Sequence, residues 1–584
     1  MFVIHRYKFL PVLIIIVSLL SCASGPGQPR IPDVREVNIQ DLHRLMDKRE
    51  PLRALETVDS LRKRGIIGTN EHSSYRNDIE QMIAEEFYQA VEDKNYPSAL
   101  RLSRAAELLE IPLEQGPDRK ALYLDMLREL AENEMLIPAF AQAAEALSAG
   151  LIGYEDLHFL TETARESGYG DWSEYLTDKS DDPDEGIRKD LAGIIDSTVT
   201  IWVNRGIRIE RGMGYPDRVI GSGFFIDKNG YLITNYHVIA SEVDPEYEGY
   251  SRLFIRRGDS RSPRIPARVV GWDPILDLAL LKVEISPDYV FSPGKNIPRL
   301  GETIYAIGSP GGLEKTITSG IVSATERRLL QLGEAMQIDV PINQGNSGGP
   351  LLNEQGRLVG IVFAGIEFFE GINFAVPVYW LQAILADMYE EGEVHHPWIG
   401  SALHEGREGL TNLYTVPGSP ADNAQIKEGY RLISVNGQSV SRLRDVNTIL
   451  VWERPGNLVK TLWEKDDGTR AAIYMVLEKR PRSPVLQAQR MGAEKDLVLP
   501  LFGMKIHETG AALWEKSYVV EKVYPGTIAD ETGLSENDPF YWRGLKIDSE
   551  NKLALLRMVI KKRKAGFLES SMQLAAYIDV DYFI

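Results

Sequence analysis

A serine hydroxyl is a weak nucleophile at neutral pH and attacks a carbonyl only when a base stands ready to take its proton. The stretch PINQGNSGGP, residues 341–350, sets one serine, Ser347, between glycines on both sides. Histidine, with an ordinary pKa of about 6.5, is the side chain best poised for that proton. Of the nine histidines, His237 in LITNYHVI is the one that falls within the β-patterned stretch around the serine. The imidazole in turn needs a carboxylate to fix its tautomer and to stabilise the imidazolium. The segment GWDPILDLALLKV offers two. Asp273 precedes a proline, a turn-initiating position. Asp277 stands among Ile275, Leu276 and Leu278, where an acid is costly unless it is hydrogen-bonded. Asp277 is therefore the expected orienting acid, and the expected chemistry is acyl transfer to Ser347.

A tight turn through Gly345 and Asn346 can aim the backbone N–H groups of Gly345, Asn346 and Ser347 at one point, with Gly345 and Ser347 as the leading donors. Such donors hold the oxyanion of a tetrahedral intermediate. Gly348 and Gly349 are expected to keep side chains away from the substrate. The same residues also satisfy the G-x-S-x-G elbow of α/β-hydrolases, which needs a helix directly after the serine and a histidine downstream. Here GGPLLNEQGRLVGIV reads as strand, turn, strand, and His395, His396, His404 and His507 lie in a linker and in later modules. The order His237, Asp277, Ser347 is that of chymotrypsin-like proteases.

Three residues so far apart need a scaffold to gather them. From Ile194 to about Val376, β-branched and aromatic runs such as STVTIWV and RLVGIVFAG are broken by turns at Asn229-Gly230 and Gly356. The pattern predicts an all-β region, followed by a helix over Tyr379 to Glu391. From Val37 to Leu176, apolar residues recur every three or four positions, and Pro97, Pro112 and Pro138 punctuate helix starts. Its hairpins are similar to loose tetratricopeptide repeats but lack the roughly 34-residue period. A partner-binding solenoid and a plain helical spacer both remain open. DKSDDPDEG, residues 178–186, is an acidic linker. Beyond HHPW lies a β-rich module with a helix over Leu443 to Trp452, and RPRSPVLQAQRMGAEK reads as a second linker. VVEKVYPGTIADETGLSENDPF then repeats the style of NLYTVPGSPADNAQIKEGYRLI, so two copies of one module are expected.

A chain of 584 residues with a net charge of −19 and no long Lys/Arg run is a poor ligand for polyanions, so no nucleic acid is expected. The only cysteine, Cys22, excludes an intrachain disulfide. It ends an apolar run, Phe9 to Leu20, that is too short to span a hydrocarbon core of about 30 Å but fits a secretory signal. LLSC resembles a bacterial lipobox, which implies cleavage, lipidation of Cys22 and an exported, periplasm-facing protein anchored in a membrane. Ser24 to Asp33 would be the leash. No Cys/His clusters have ligand spacing, so neither metal nor cofactor is expected.

GSGFFIDKNGYLITNYHVI, DPILDLALLKV, AIGSPGGLEKTITSGIVSA and INQGNSGGPLLN, in this order, resemble the HtrA/Deg serine proteases, and the later regions resemble PDZ modules. The resemblance implies a multidomain α+β chain. Residues 1–21 would be a lipoprotein signal, 22–35 a tether, and 36–180 a helical domain, loosely tetratricopeptide-like, that has no counterpart in the family's usual architecture. Residues 190–392 would form a chymotrypsin-like double β-barrel, 394–482 a PDZ domain and 498–584 a divergent PDZ-like domain. It makes His237 the base, Asp277 the orienter and Ser347 the nucleophile, and it places regulatory loops within Ile307 to Ile321 and Ala364 to Gly371. The specificity pocket of this fold would be lined by Ile342, Val362, Phe363 and Ala364, without an acid, and so takes a small or medium apolar side chain. Ile399-Gly400 would serve as the carboxylate-binding loop of the first PDZ module. Implied partners are unfolded or misfolded proteins, peptide C-termini and, from the family's trimers, two further copies of the chain. The alternative is a PDZ and helical-repeat scaffold or chaperone with little proteolysis.

Overall fold

The computed structural model describes residues 38–177, 191–245, 247–258, 261–295, 297–309, 315–343, 345–365, 372–492, 494–512, 515–549, 551–563 and 567–584. Cys22 with its apolar run and the acidic linker lie outside them. The first part of the chain is helical: Ile39–Asp47, Pro51–Lys63, Thr69–Glu92, Tyr96–Leu109, Arg119–Glu132, Leu136–Ser148, His158–Glu166 and Gly170–Tyr175. The starts follow from side-chain chemistry. The carboxamide or carboxylate oxygens of Asn38, Asn95 and Asp118 accept the N–H groups of Asp41, Ser98 and Ala121 at 2.8, 3.2 and 2.7 Å, and Pro51 and Pro97 need no N–H partner in the first turn.

This helical region is neither an open solenoid nor a detached spacer. Phe140 and Trp172 stack at 5.3 Å inside the same apolar core as the first barrel and the helix Val378–Tyr389. Leu42 through Leu122 form a second core that takes in Leu458 and Val476 of the following module. Buried Glu453 of that module pairs with Arg104, and Arg454 pairs with Asp387 at 2.7 Å and with Glu145 at 3.7 Å. The helices thus bracket the module onto the β region.

The β region closes twice. Strands β1 (Thr198–Glu210), β2 (Met213–Phe225), β3 (Tyr231–Thr234), β4 (Arg252–Arg256), β5 (Ile265–Asp273) and β6 (Leu278–Val283) form a ring in the order β1-β2-β3-β6-β5-β4. Strands β7 (Thr303–Gly308), β8 (Thr316–Arg327), β9 (Ala335–Ile338), β10 (Pro350–Leu352), β11 (Leu358–Gly365) and β12 (Asn373–Pro377) close a second in the order β7-β8-β9-β12-β11-β10. Closure leaves no unpaired edge and fixes both ends of each strand where a site can be built.

In the first module, strands Ser401–Gly406, Gly409–Thr415, Arg431–Val435, Leu458–Glu464 and Arg470–Val476 form one sheet beside the helix Leu443–Leu450. The second is a five-stranded antiparallel meander, Met504–Ala512 to Phe567–Tyr577. The repeat seen in the sequence has a structural counterpart. Gly400 N-terminal to one sheet lies against Ser419, as Gly503 lies against Thr527, and each glycine carbonyl accepts an N–H, from Val416 at 2.8 Å and Tyr524 at 2.9 Å. The segment read as a second linker is instead the helix Pro484–Met491, with Val485 and Ala488 fully buried in the second module's core. Its prolines and charges hid an apolar pair three residues apart. Among the described residues the second module has no helix matching Leu443–Leu450, and FYWRGLKID lies inside the strand Pro539–Asp548.

Candidate active site

The chain turns sharply after β3. His237 is not at a strand end, as its sequence context suggests, but in the first turn of the helix Tyr236–Val243. Asp277 directly precedes β6 with φ at +57°, a left-handed conformation that aspartate tolerates better than most residues. Asn235 holds it there by donating its side-chain N–H to the Asp277 carbonyl at 2.8 Å. Both Asp277 carboxylate oxygens then serve His237: Oδ1 accepts the backbone N–H at 2.8 Å and Oδ2 faces ring Nδ1 at 2.7 Å. With Nδ1 occupied as donor, Nε2 is left as the acceptor, the tautomer a general base requires. The ring keeps 46% of its surface exposed, so a substrate can reach it.

Partial burial works to lower the imidazole pKa, but the hydrogen bond and the charge of Asp277 outweigh it and raise the value above the ordinary one. If His237 serves as the general base it acts in its neutral form, and kcat/KM should then fall as pH drops through a midpoint above about 6.5, the ordinary histidine value. A pH profile on a short chromogenic peptide reads this directly, and a midpoint well below that value would contradict the assignment.

The serine turn is docked between the barrels by main-chain groups. The Ser347 carbonyl accepts the Ser222 N–H at 2.7 Å, the Gly348 N–H donates to Val362 at 2.8 Å, and Val362 returns a bond to Gly349 at 3.0 Å. Ser222 also donates its hydroxyl to the Gly345 carbonyl at 2.7 Å and accepts the Ser309 N–H at 3.1 Å. Ser222 thus ties the serine turn to the first barrel, and only its place in GSGFF marks it in the sequence. Val238, next to His237, and the Ser347 carbonyl flank Gly221, where an added Cβ would lie 2.7 and 3.1 Å from them. The helix that carries His237 and the turn that carries Ser347 therefore meet across Gly221.

Two expectations for the turn change. The Asn346 N–H is spent on the Asn343 carbonyl at 3.0 Å, so it is not an oxyanion donor, which leaves Gly345 and Ser347. Gly348 does not clear space for substrate. With φ at +84°, a Cβ there would strike the Ser222 carbonyl at 2.3 Å and Thr234 Oγ1 at 2.4 Å, so its neighbour is the first barrel. Of the pocket residues, Ile342 packs half-buried on the second barrel's core, Phe363 lies 6.3 Å from the Phe374 ring, and Ala364 pairs with Phe374 across β11 and β12. Residues 310–314 and 366–371, the centres of the two expected regulatory loops, lie outside the described residues.

Asp273 does initiate the turn, its Oδ1 accepting the N–H groups of Ile275 and Leu276 at 2.8 and 3.1 Å. Its Oδ2 meets His396 Nε2 at 2.7 Å, both side chains being buried. This second His–Asp pair ties the first barrel to the start of the first module, away from the serine.

A profile for the trypsin-like peptidase domain matches residues 221–361, one for the TP0546 family PDZ domain matches 485–578, and one for a domain of unknown function (DUF8517) matches 33–121. The probable periplasmic serine endoprotease DegP-like of Marinomonas sp. (strain MWYL1) is 32% identical over 342 residues, 55% of this chain and 69% of that protein. The protein of the same name from Rhizobium meliloti (strain 1021) is 29% identical over 439 residues, 69% of this chain and 82% of that one. The crystal structure of the serine endoprotease from Yersinia pestis aligns with 50% of this chain and 98% of its own, at 28% identity and a TM-score of 0.40.

Proposed function

We propose, because this chain belongs to the HtrA/Deg family of serine endoproteases, that it cleaves unfolded or misfolded proteins in the periplasm through Ser347, His237 and Asp277. The observation that carries the reading is the two-point grip of Asp277 on His237, built beside a serine turn that is docked between two barrels. Ser347 Oγ attacks the scissile carbonyl while His237 Nε2 takes its proton. The N–H groups of Gly345 and Ser347 receive the charge that develops on the carbonyl oxygen. Losing one such donor typically costs roughly 10²–10³ in rate. The imidazolium, stabilised by Asp277, then returns the proton to the leaving amine, and water repeats the sequence to release the acyl group. The apolar surroundings of Ile342 and Phe363 suit a small or medium apolar substrate residue, which folded proteins bury and unfolded ones expose. The test is hydrolysis of casein by the purified protein, and no hydrolysis would overturn the reading.

Among the described residues no helix is long and apolar enough to cross a membrane. Anchoring is proposed to come from lipidation of Cys22. Each buried CH₂ of an acyl chain contributes about 0.8 kcal/mol, so two or three chains hold stably. Cells fed a clickable palmitate analogue should label the wild type and not Cys22→Ala. Equal labelling of both would exclude the lipid anchor.

A further inference from the structure

The strand Ser401–Gly406 is the edge of the first module's sheet, and beside it runs the helix Leu443–Leu450. An edge strand paired with a helix makes a groove that takes an extended peptide as an added strand. That groove is filled. After its last strand, Phe567–Tyr577, the chain runs on from the second module's sheet and lays Tyr582, Phe583 and Ile584 along Ser401–Gly406. The pairing is antiparallel and regular. Gly400 and Ser401 donate their N–H groups to the Ile584 carbonyl oxygen at 2.8 and 3.0 Å, Ile584 donates to Ser401 at 2.8 Å, and Leu403 donates to Tyr582 at 2.9 Å. Gly400 holds φ at +83°, and a Cβ there would lie 2.1 Å from the Ser419 Cβ, so only glycine presents its N–H in this way.

Side chains alternate as a strand demands. Ile584, 2% exposed, enters the apolar cluster of Ile399, Leu403, Val446 and Leu450. Phe583 points the other way, into the second module's core with Trp398 and Phe502. Two further ties hold the segment. Asp581 receives Arg328 Nε and Nη2, both at 2.5 Å. Buried Arg480 donates to the carbonyls of Phe583, Val580 and Gln331, the last two at 3.2 Å. Arg328 and Gln331 lie between β8 and β9.

We infer that the peptide groove of the first module is occupied in cis by Tyr582–Ile584, and that its external ligands, peptides ending in an aliphatic residue, bind only by displacing this segment. A tethered competitor acts at an effective concentration on the order of millimolar, so a free peptide at micromolar concentration is excluded unless the segment is released. The segment follows Asp581, which pairs with Arg328, and its Phe583 carbonyl shares the Arg480 guanidinium with the Gln331 carbonyl, so the groove occupant and the β8–β9 connection are tied together.

The inference does not depend on proteolysis, and its test removes it. In the Ser347→Ala chain, binding of a fluorescent decapeptide ending in Asp-Tyr-Phe-Ile is followed by anisotropy. A chain stopped after Asp581 should bind it at least tenfold more tightly than the full chain, and adding Gly400→Val should abolish the gain. Because Phe583 also fills the second module's core, Ile584→Asp is measured in parallel. It places a charge in the aliphatic pocket, should expel the segment without shortening the chain, and should give the same gain. Equal affinity in the full chain and in both released variants, or no binding by any of them, would overturn the inference and leave Tyr582–Ile584 as a structural strand only.

Discussion

Replacing Ser347 with alanine is expected to lower kcat on casein by about 10⁶-fold, the loss typical of a triad serine, while leaving the fold intact. The separation of the two effects follows from how the turn is held. Its bonds run from the Ser222 N–H to the Ser347 carbonyl, from the Gly348 N–H to Val362 and from Ser222 Oγ to the Gly345 carbonyl. None uses the Ser347 hydroxyl, so alanine keeps them all, and the Cβ it retains already fits. Stability should therefore shift by no more than about 0.5 kcal/mol, the range of a substitution that removes no buried partner. What remains after the change is the oxyanion site and substrate binding, enough for roughly 10³–10⁴ over water but invisible in a gel assay. A labelled fluorophosphonate, which reacts only with an activated serine, should mark the wild type and not the variant. Casein cleavage that persists in Ser347→Ala would remove the serine from the mechanism.

Most of the candidate site was legible in the sequence because residue types suited to such chemistry leave local scars. A lone acid inside Ile275–Leu278 and a serine among glycines break the apolar pattern around them and so stand out. Contacts between distant segments leave no such mark. Asp273 could be read as a turn former from the proline after it, but its buried partner His396 is 123 residues away. Arg480 sits in RPRSP, which has the composition of a solvated linker. It is buried because carbonyls of Phe583, Val580 and Gln331 converge on its guanidinium. The helical region showed its period but not its neighbours. An amphipathic face says that something covers it, and only the fold reveals that the cover is a barrel, a helix and the first module. The last residues, Tyr582-Phe583-Ile584, carry no periodic signal at all in so short a run.

Asp277→Asn should cost about 10⁴ in kcat, with KM nearly unchanged, although it alters a single atom. The carboxylate accepts at both oxygens, from the His237 backbone N–H at 2.8 Å and from the ring at 2.7 Å. A carboxamide has one acceptor and one donor. If its NH₂ faces the ring, Nδ1 must become an acceptor, the proton moves to Nε2, and that nitrogen no longer takes the serine proton. If the amide flips, its NH₂ confronts the backbone N–H, donor against donor, in a residue already held at φ +57° by Asn235. Either orientation breaks one of the two bonds that define the base. The electrostatics move in the same direction. The hydrogen bond and charge that raise the His237 pKa disappear, and the burial that lowers it remains. The residual activity should therefore keep falling with acid, but through a lower midpoint than in the wild type. Measuring kcat, KM and the pH profile of both proteins on one short peptide separates this from mere destabilisation, which would reduce the active fraction without moving the midpoint. A loss smaller than about tenfold, or an unshifted midpoint, would show that Asp277 does not orient the base.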